Sequence, residues 1–460
     1  MSIKFNIVIL AAGRGTRMYS SIPKVLHKIG NKPMLQHVIE TSKSISPQQL
    51  IVVYGHGGEQ VKSLIAKNMY DTELIWCLQE NQLGTGHALK CANEYLKQYD
   101  ATLLLYGDVP LISQNTIKQM QDKFADNIVI LTADFPNPTG YGRIIRNDVG
   151  KIIKIVEEKD ANQEQRAIKE VNTGIYIFPN KYLSGWLEKL TNNNSQGEYY
   201  ITDLLEMAYL DGVDISSVSC ADVFEVMGVN NKLQLEYLER QYQLIQTDKL
   251  LNKGVTIIDK NRIDIRGEIK NGIDCFIDIN CIFEGNVTLG NNVTIGANCI
   301  IKNSVIHDGV EIKPNSIIED SEVFNNSQVG PYARLRPGSK LLNNTHIGNF
   351  VEIKKSIVGI GSKVNHLTYI GDATIGSNVN IGAGSITCNY DGMHKFNTNI
   401  GDNAFIGSGT MMVAPVKIGN GSIIGAGSVI TKDTPENELT VSRAKQVTIL
   451  GWVKKFRQKK

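Results

Sequence analysis

The sequence lacks any uninterrupted apolar stretch approaching the roughly 20 residues needed to span a bilayer, which argues against membrane insertion. It opens on MSIKFNIVILAAG, where a short apolar run gives way at once to small residues, so a secretory signal peptide is not expected. An excess of basic charge is missing too. The formal net charge of +2 excludes the strongly basic balance of a typical nucleic-acid binder. Cysteine is sparse and unpatterned: Cys77, Cys91, Cys220, Cys275, Cys281, Cys299 and Cys388 are odd in number and form no CxxC pair. That fits reduced thiols in a cytoplasmic protein better than disulfides or a zinc site.

What remains is ordinary globular material, 42% hydrophobic and 20% charged, and at 460 residues it calls for two or three domains. Up to about residue 229, short β-branched runs (FNIVILAAG, QLIVVYGH, ATLLLYGD, NIVILTA, TGIYIF) alternate with helical stretches such as KPMLQHVIETSKSI, with Pro33 placed for a helix start. This pattern predicts an α/β domain, Rossmann-like, with a mainly parallel sheet and ligands beyond the C-terminal strand ends. Residues 230–253 keep helical spacing through Leu233, Leu238, Tyr242 and Ile245 until Gly254, which reads as one connecting helix with a left-handed stop.

From residue 254 to 460 the text turns repetitive. IGDNAF, IGSGTM, MVAPVK, IGNGSI, IGAGSV and ITKDTP place Ile400, Ile406, Met412, Ile418, Ile424 and Ile430 at position one. Glycine follows in four of the six, and position five holds only Ala404, Thr410, Val416, Ser422, Ser428 and Thr434. The same phase recurs at Leu289, Ile295 and Ile301, and at Ile375 and Ile381. A period of six predicts a parallel β-helix, with the aliphatic residue inside and glycine relieving tight corner torsions. The phase breaks between Ile381 and Ile400, where TCNYDGMHKFNTN offers no inward aliphatic residue, so a loop is expected to leave the coil there.

Two groups of residues carry chemistry. In LAAGRGTRM, Gly13 and Gly15 open the backbone to an anion while Arg14, Arg17 and Lys24 supply charge. A Rossmann fingerprint would need glycine where Met18 stands, and no Walker Gly-Lys-Ser/Thr is present. Asp108 leaves a buried strand at the ligand-binding edge, as a magnesium ligand or as a turn carboxylate. Gln79, Gly84 and Thr85 could read the edge of a base. In the repeats, His366 stands near Arg336, Lys354, Tyr369, Asn380 and the NYDG loop. It is either a structural histidine or the base for an amine nucleophile beside a sugar-phosphate site. The tail KKFRQKK (454–460) is a solvated basic end or a contact for a cofactor or neighbouring subunit.

Taken in order, LAAGRGTRM…PKVLH, QLGTGHA, YGDVPL, PTGYGRI, NTGIY, NNNSQGEYYITD and GVNN resemble the sugar-nucleotide uridylyltransferases. With the hexapeptide half, the whole chain resembles the bifunctional N-acetylglucosamine-1-phosphate uridylyltransferase / glucosamine-1-phosphate acetyltransferase family. The resemblance implies a uridylyltransferase domain (1–229), a linker helix (230–253) and a left-handed β-helix acetyltransferase domain (254–460). It implies a UDP-sugar site of Leu10, Ala11, Ala12, Gly13, Lys24, Gln79, Gly84, Thr85, Tyr106, Gly107, Asp108, Gly142, Glu157, Asn172 and Asn230. Arg17 and Lys24 would face phosphates, and Asp108 and Asn230 would bind Mg2+. At the other end it implies Arg336, Lys354, Tyr369 and Asn380 on the amino-sugar phosphate and His366 as proton acceptor. Ala383, Asn389, Tyr390, Ser408, Ala426 and Arg443 would then line acetyl-CoA. The implied substrates are UTP, glucosamine 1-phosphate and acetyl-CoA, the implied assembly is a homotrimer, and the product is the UDP-N-acetylglucosamine used for peptidoglycan and lipopolysaccharide. Two rivals remain: a nucleotidyltransferase whose β-helix only assembles or regulates, and a non-catalytic subunit built from the same modules.

Overall fold

The computed structural model describes residues 3–13, 15–55, 57–194 and 196–457. Arg14, one of the expected phosphate-facing charges, and the last three residues of the basic tail lie outside the described residues. The chain divides into two compact units, Met1–Tyr242 and Gln243–Lys460, and the boundary falls within the helix Lys232–Asn252. Two residues beyond its end stands Gly254, whose φ of +86° is the left-handed stop its position calls for.

In the first unit the five apolar runs are all strands of one sheet. Its order is Ile215–Ser219, Ile128–Asp134, Glu170–Pro179, Ala101–Tyr106, Phe5–Ala11, Gln49–Tyr54 and Ile75–Leu78. Phe5–Ala11 pairs in parallel with both Ala101–Tyr106 and Gln49–Tyr54, and only Glu170–Pro179 on this path runs against its neighbours. The central strands are buried on both faces, which is why they read as continuous apolar runs rather than alternating ones. The helix Met34–Ser44 starts one residue after Pro33 and buries Leu35, Val38 and Ile39 against the sheet. Parallel strands deliver the chain segments after Ala11, Leu78 and Tyr106 to the same sheet edge. A smaller hairpin, Arg143–Arg146 with Ile152–Val156, joins through Val171 and Arg143.

The second unit is a left-handed parallel β-helix. Ile295, Ile312, Val329, Ile347, Val364, Ile381, Ile406 and Ile424 stack in register down one face, all buried. Burying each such side chain is worth about 1.5–3 kcal/mol, and this column forms the core of the unit together with those running through Ile301, Ile318 and Leu335 and through Ile306, Val323 and Leu341. Small hydroxyl residues sit buried at the corners and bond to backbone of adjacent coils: Ser339 Oγ donates to the carbonyl of Ile353 at 3.0 Å, and Ser362 Oγ to that of Gly376 at 2.7 Å. The expected loop leaves the coil. Ile386–Cys388 is followed by an excursion closed by Phe396 N on the Asn389 carbonyl and a Tyr390–Lys395 bridge.

One expectation is corrected. The glycine after the inward aliphatic residue does not relieve a corner torsion. Gly401, Gly407, Gly419 and Gly425 have no left-handed φ; at Gly407 an added Cβ would lie 2.5 Å from the Ala426 amide nitrogen of the next coil. Close coil-to-coil approach makes glycine necessary there. The left-handed torsion falls two residues later, on Asn403 (φ 57°), Gly409 (φ 70°), Gly421 (φ 64°) and Gly427 (φ 71°).

Candidate active sites

At the strand ends of the first unit lies a cleft of about 240 Å³ lined by Leu10, Ala11, Ala12, Gly13, Lys24, Gln79, Gly84, Thr85, Tyr106 and Asp108. Leu10 and Tyr106 are register partners on adjacent parallel strands, and Gly107 N donates to the Leu10 carbonyl at 2.9 Å. Gly13 faces open space, so a Cβ there would project without contact. Gly15, with φ of 63°, packs against the stem of Lys24, where any side chain would collide with Lys24 Cβ. Gln79 is buried and its amide nitrogen bonds the Gly84 carbonyl at 3.2 Å and His87 Nδ1 at 3.0 Å, which fixes how it faces the cleft. Val25, Gln82, Ala88 and Glu198 also line the cleft, and residue-type reasoning missed them. Gln82, whose amide donates to the Ala12 carbonyl, lies within QENQLGTGHA, so its neighbours were the available signal.

Four expected residues converge at the mouth of this cleft. Lys24 Nζ pairs with Asp108 Oδ2 and also donates to Asn230 Oδ1 at 2.9 Å. Arg17 Nη2 donates to the same Asn230 oxygen at 3.0 Å. Val229 N bonds the Asp108 carbonyl at 2.9 Å, which brings GVNN beside YGDVPL. Asp108 thus supplies a carboxylate oxygen and Asn230 an amide oxygen to the same Lys24 ammonium. Hard oxygen donors, few in number, suit magnesium, which takes its remaining ligands from phosphate and water. Among the described residues no cluster of three or more His, Cys, Asp or Glu could hold a metal instead.

The remaining expected sugar-side residues form an adjoining group. Asn172 N donates to the Gly142 carbonyl at 2.8 Å, and a side chain at Gly142 would press on Ile155 and Glu157. Asn172 Oδ1 accepts from Gly174 N and from the Tyr176 hydroxyl, which turns its amide NH2 away from both. Tyr106 links this group to the cleft: burial, then the charges of Asp108 and Glu157, hold its hydroxyl well above the usual tyrosine range. Burial also raises Glu157; the Thr202 hydroxyl at 3.3 Å opposes the shift, and Asp160 and Asp203 add to it.

In the β-helix, the expected residues order themselves by coil. Leu367 N bonds the Asn349 carbonyl, Gly384 N that of His366, Gly409 N that of Ala383, and Gly427 N that of Ser408, while Arg443 Nη1 reaches the Ala426 carbonyl at 2.6 Å. Asn349, His366, Ala383, Ser408 and Ala426 thus stand one above another along one edge of the prism. Coils stacked about 4.8 Å apart put His366 and Ala426 about 14 Å apart. On the face beyond that edge, Glu352 and Tyr369 share one column and Lys354 and Gly371 the next. Arg336 Nη1 is held by Glu352 at 2.8 Å. Lys354 is half-buried, and its ammonium is depressed chiefly by Lys395 of the extruded loop, then by desolvation and by Arg336. Lys395 was not singled out from the sequence, though it lies in the loop that was. Asn389 is buried, its amide on Asp372 Oδ2 at 2.5 Å, while Tyr390 is exposed with its hydroxyl on the Gly392 carbonyl. Asn380 stands apart, on the adjoining face between Lys363 and Phe405.

A strand-end cleft with a charged mouth and a hexapeptide coil with a histidine edge define a nucleotidyltransferase joined to a hexapeptide acyltransferase. Matches to family models agree: MobA-like NTP transferase domain over residues 7–170, GMPPB C-terminal domain over 265–341, and bacterial transferase hexapeptide (six repeats) over 397–432. The chain is 56% identical to the bifunctional protein GlmU of Chromobacterium violaceum over 97% of each chain, and 52% identical to that of Nitrosospira multiformis over 99% of each. It belongs to the GlmU family of bifunctional enzymes, which join N-acetylglucosamine-1-phosphate uridylyltransferase and glucosamine-1-phosphate acetyltransferase in one polypeptide.

Proposed function

We propose that residues 1–229, with Asn230 from the start of the linker segment 230–253, carry uridylyl transfer, and that residues 254–460 carry acetyl transfer. The observation that supports the first assignment most directly is the meeting of Arg17, Lys24, Asp108 and Asn230 at the cleft mouth. Leu10, Ala11, Ala12, Gly13, Gln79, Gly84 and Thr85 bind the uridine, with Tyr106, Gly107, Gly142, Glu157 and Asn172 around the sugar. Asp108 and Asn230 hold Mg2+, which when bound neutralises phosphate charge. The sugar-phosphate oxygen attacks the α-phosphorus of UTP, and the bond to the departing pyrophosphate breaks. Arg17 and Lys24 offset the charge of the two anions, so the residues act by positioning and electrostatics rather than as nucleophiles.

At the second site, Arg336, Lys354, Tyr369 and Asn380 bind glucosamine 1-phosphate. The grouping of Arg336, Lys354 and Lys395 supports a phosphate there. Acetyl-CoA lies along the edge of Ala383, Ser408, Ala426 and Arg443, with Asn389 and Tyr390 from the loop. The straight run of those residues supports an extended ligand. The amine attacks the thioester carbonyl, His366 takes its proton, the C–S bond breaks, and His366 returns that proton to the departing sulfur, so CoA leaves as the thiol. An acyl-enzyme is unsupported, since burial raises all seven cysteine thiols, Cys281 to about 12 and Cys77 to about 11.

Exposed Phe405, Ile423 and Leu439 in register on one β-helix face support assembly as a homotrimer. Seven unpaired cysteines support a cytoplasmic setting. No described helix is long and apolar enough to cross a membrane. The test supplies purified protein with glucosamine 1-phosphate, acetyl-CoA, UTP and Mg2+, leaving out one at a time. Thiol should appear without UTP, and pyrophosphate only when acetyl-CoA is present. Equal pyrophosphate release without acetyl-CoA would overturn the proposed order.

A further inference from the structure

We infer that Asn349 sets the position of the proton on His366, so that the ring offers its Nε2 lone pair to the attacking amine. The inference rests on the reading of His366 as proton acceptor and extends it to a residue in the preceding coil. Asn349 and His366 are register partners at the ends of paired parallel strands, His346–Asn349 and Lys363–His366. His366 Nδ1 lies 2.9 Å from Asn349 Oδ1. An amide oxygen only accepts, so this contact requires the hydrogen on Nδ1. A neutral imidazole has one N–H, and fixing it at Nδ1 leaves Nε2 as the basic atom. With the amide turned by half a rotation, its NH2 would donate to Nδ1 and the ring hydrogen would move to Nε2. The ring could then take no proton there. The choice between Asn349 oxygen and nitrogen is therefore the choice between an active and an idle base.

The surrounding backbone holds both residues in place. The Asn349 carbonyl accepts from Leu367 N at 3.1 Å, and the His366 carbonyl accepts from Gly384 N at 3.2 Å and from Thr368 Oγ1 at 2.6 Å. Each is followed by a large apolar residue in the left-handed region, Phe350 (φ 55°) and Leu367 (φ 48°). The coil before Phe350 places Tyr332 (φ 55°) at that corner, and coils further out place Asn298, Asn315, Gly384 and Gly409 there. A bulky side chain at positive φ is costly, and such costs persist where the neighbouring structure fixes the conformation. Asn349 touches the histidine and not the reacting atoms, so it is a positioning residue.

The test uses the full chain. In wild type labelled with 15N-histidine, the neutral His366 ring, identified by its loss in His366→Gln, should show the Nδ1–H form. Asn349→Leu should lower kcat for thiol release about tenfold to a hundredfold, a fraction of the full value of a general base. KM for both substrates should stay within about twofold, and pyrophosphate release should be unchanged. Asn349→Asp keeps an accepting oxygen and should recover most of the lost kcat. An Nε2–H ring in wild type, or wild-type kcat in a folded Asn349→Leu, overturns the inference. If Asn349→Leu does not fold, the wild-type spectrum and Asn349→Asp still decide it: an Asp variant as impaired as His366→Ala counts against it. His366→Ala separates the two levels. If it retains thiol release, the base reading fails; if it is inactive while Asn349→Leu is not, only the role of Asn349 fails.

Discussion

Lys24 shows how much one side chain can be asked to do. Its ammonium satisfies a carboxylate and an amide oxygen at once, with only 12% of the side chain exposed. Asp108→Ala removes the only charged member of the oxygen pair while leaving the β-helix untouched. We expect pyrophosphate release to fall at least about a hundredfold, the scale of losing a directed electrostatic contact, with thiol release unchanged in the same preparation. Near-normal uridylyl transfer in that variant would remove Asp108 from metal binding. A second carboxylate makes a different prediction. Burial, then Glu206 and Asp160, raise Asp203 to about 6. Its folded pKa exceeds the ordinary unfolded value, so the folded state binds the extra proton and loses stability as pH rises from about 4 through about 6. Asp203→Asn should therefore gain thermal stability over wild type at pH 7.5 and little at pH 4, read as Tm at both values. Equal differences at the two pH values would refute this. Sequence made Arg17 and Lys24 legible as candidates because charge and glycine were dense in one short segment, and the structure brings both to Asn230. Asn349 and Lys395 were not legible, since their contacts depend on which residues a coil of particular length brings side by side.

At the scale of the element, the hexapeptide is three constraints written in one motif. Position one fills the axis and position four turns the corner, whereas the glycine at position two clears room for the coil that follows. The first constraint was plain in the sequence as a period of six. The other two were merged, because glycine serves steric and torsional demands alike and only the coordinates separate them. They predict opposite outcomes for neighbouring substitutions. Gly407→Ala puts a methyl group 2.5 Å from the Ala426 nitrogen, a backbone atom that cannot step aside, and should cost about 2–3 kcal/mol as other overpacked sites do. Gly409→Asn meets only Gly427, at 3.8 Å, and adopts a torsion that Asn403 already holds, so its cost should stay below about 1 kcal/mol. Denaturant midpoints for the two variants decide the matter, and the reverse ranking would defeat the explanation. The extruded loop was legible from missing inward aliphatic residues. Its anchor, Asn389 on Asp372, was not, because Asp372 looks like any turn aspartate until the coils are stacked.

For the whole molecule, the open question of chemistry is what completes the acetyl-transfer edge. Asn380 lies on the face that adjoins the His366 edge, and Phe405, its register partner, begins an exposed apolar file continued by Ile423 and Leu439. Their exposures of 49%, 48% and 65% leave a continuous apolar strip at the end of a column whose preceding outward positions are Glu311, Gln328, His346, Lys363 and Asn380. A second copy seated there would shield that strip and bring its own surface against the edge proposed for acetyl-CoA, so assembly and acetyl transfer should be lost together. Phe405→Glu with Ile423→Glu changes outward residues only; the inward Ile406 and Ile424 remain to hold the coil. Sedimentation should report the wild type as a trimer and the double variant as smaller. Thiol release should drop at least about tenfold in the variant, while pyrophosphate release from UTP and N-acetylglucosamine 1-phosphate stays level. A variant that remains trimeric, or a monomer that acetylates at the wild-type rate, would show that one chain's edge suffices.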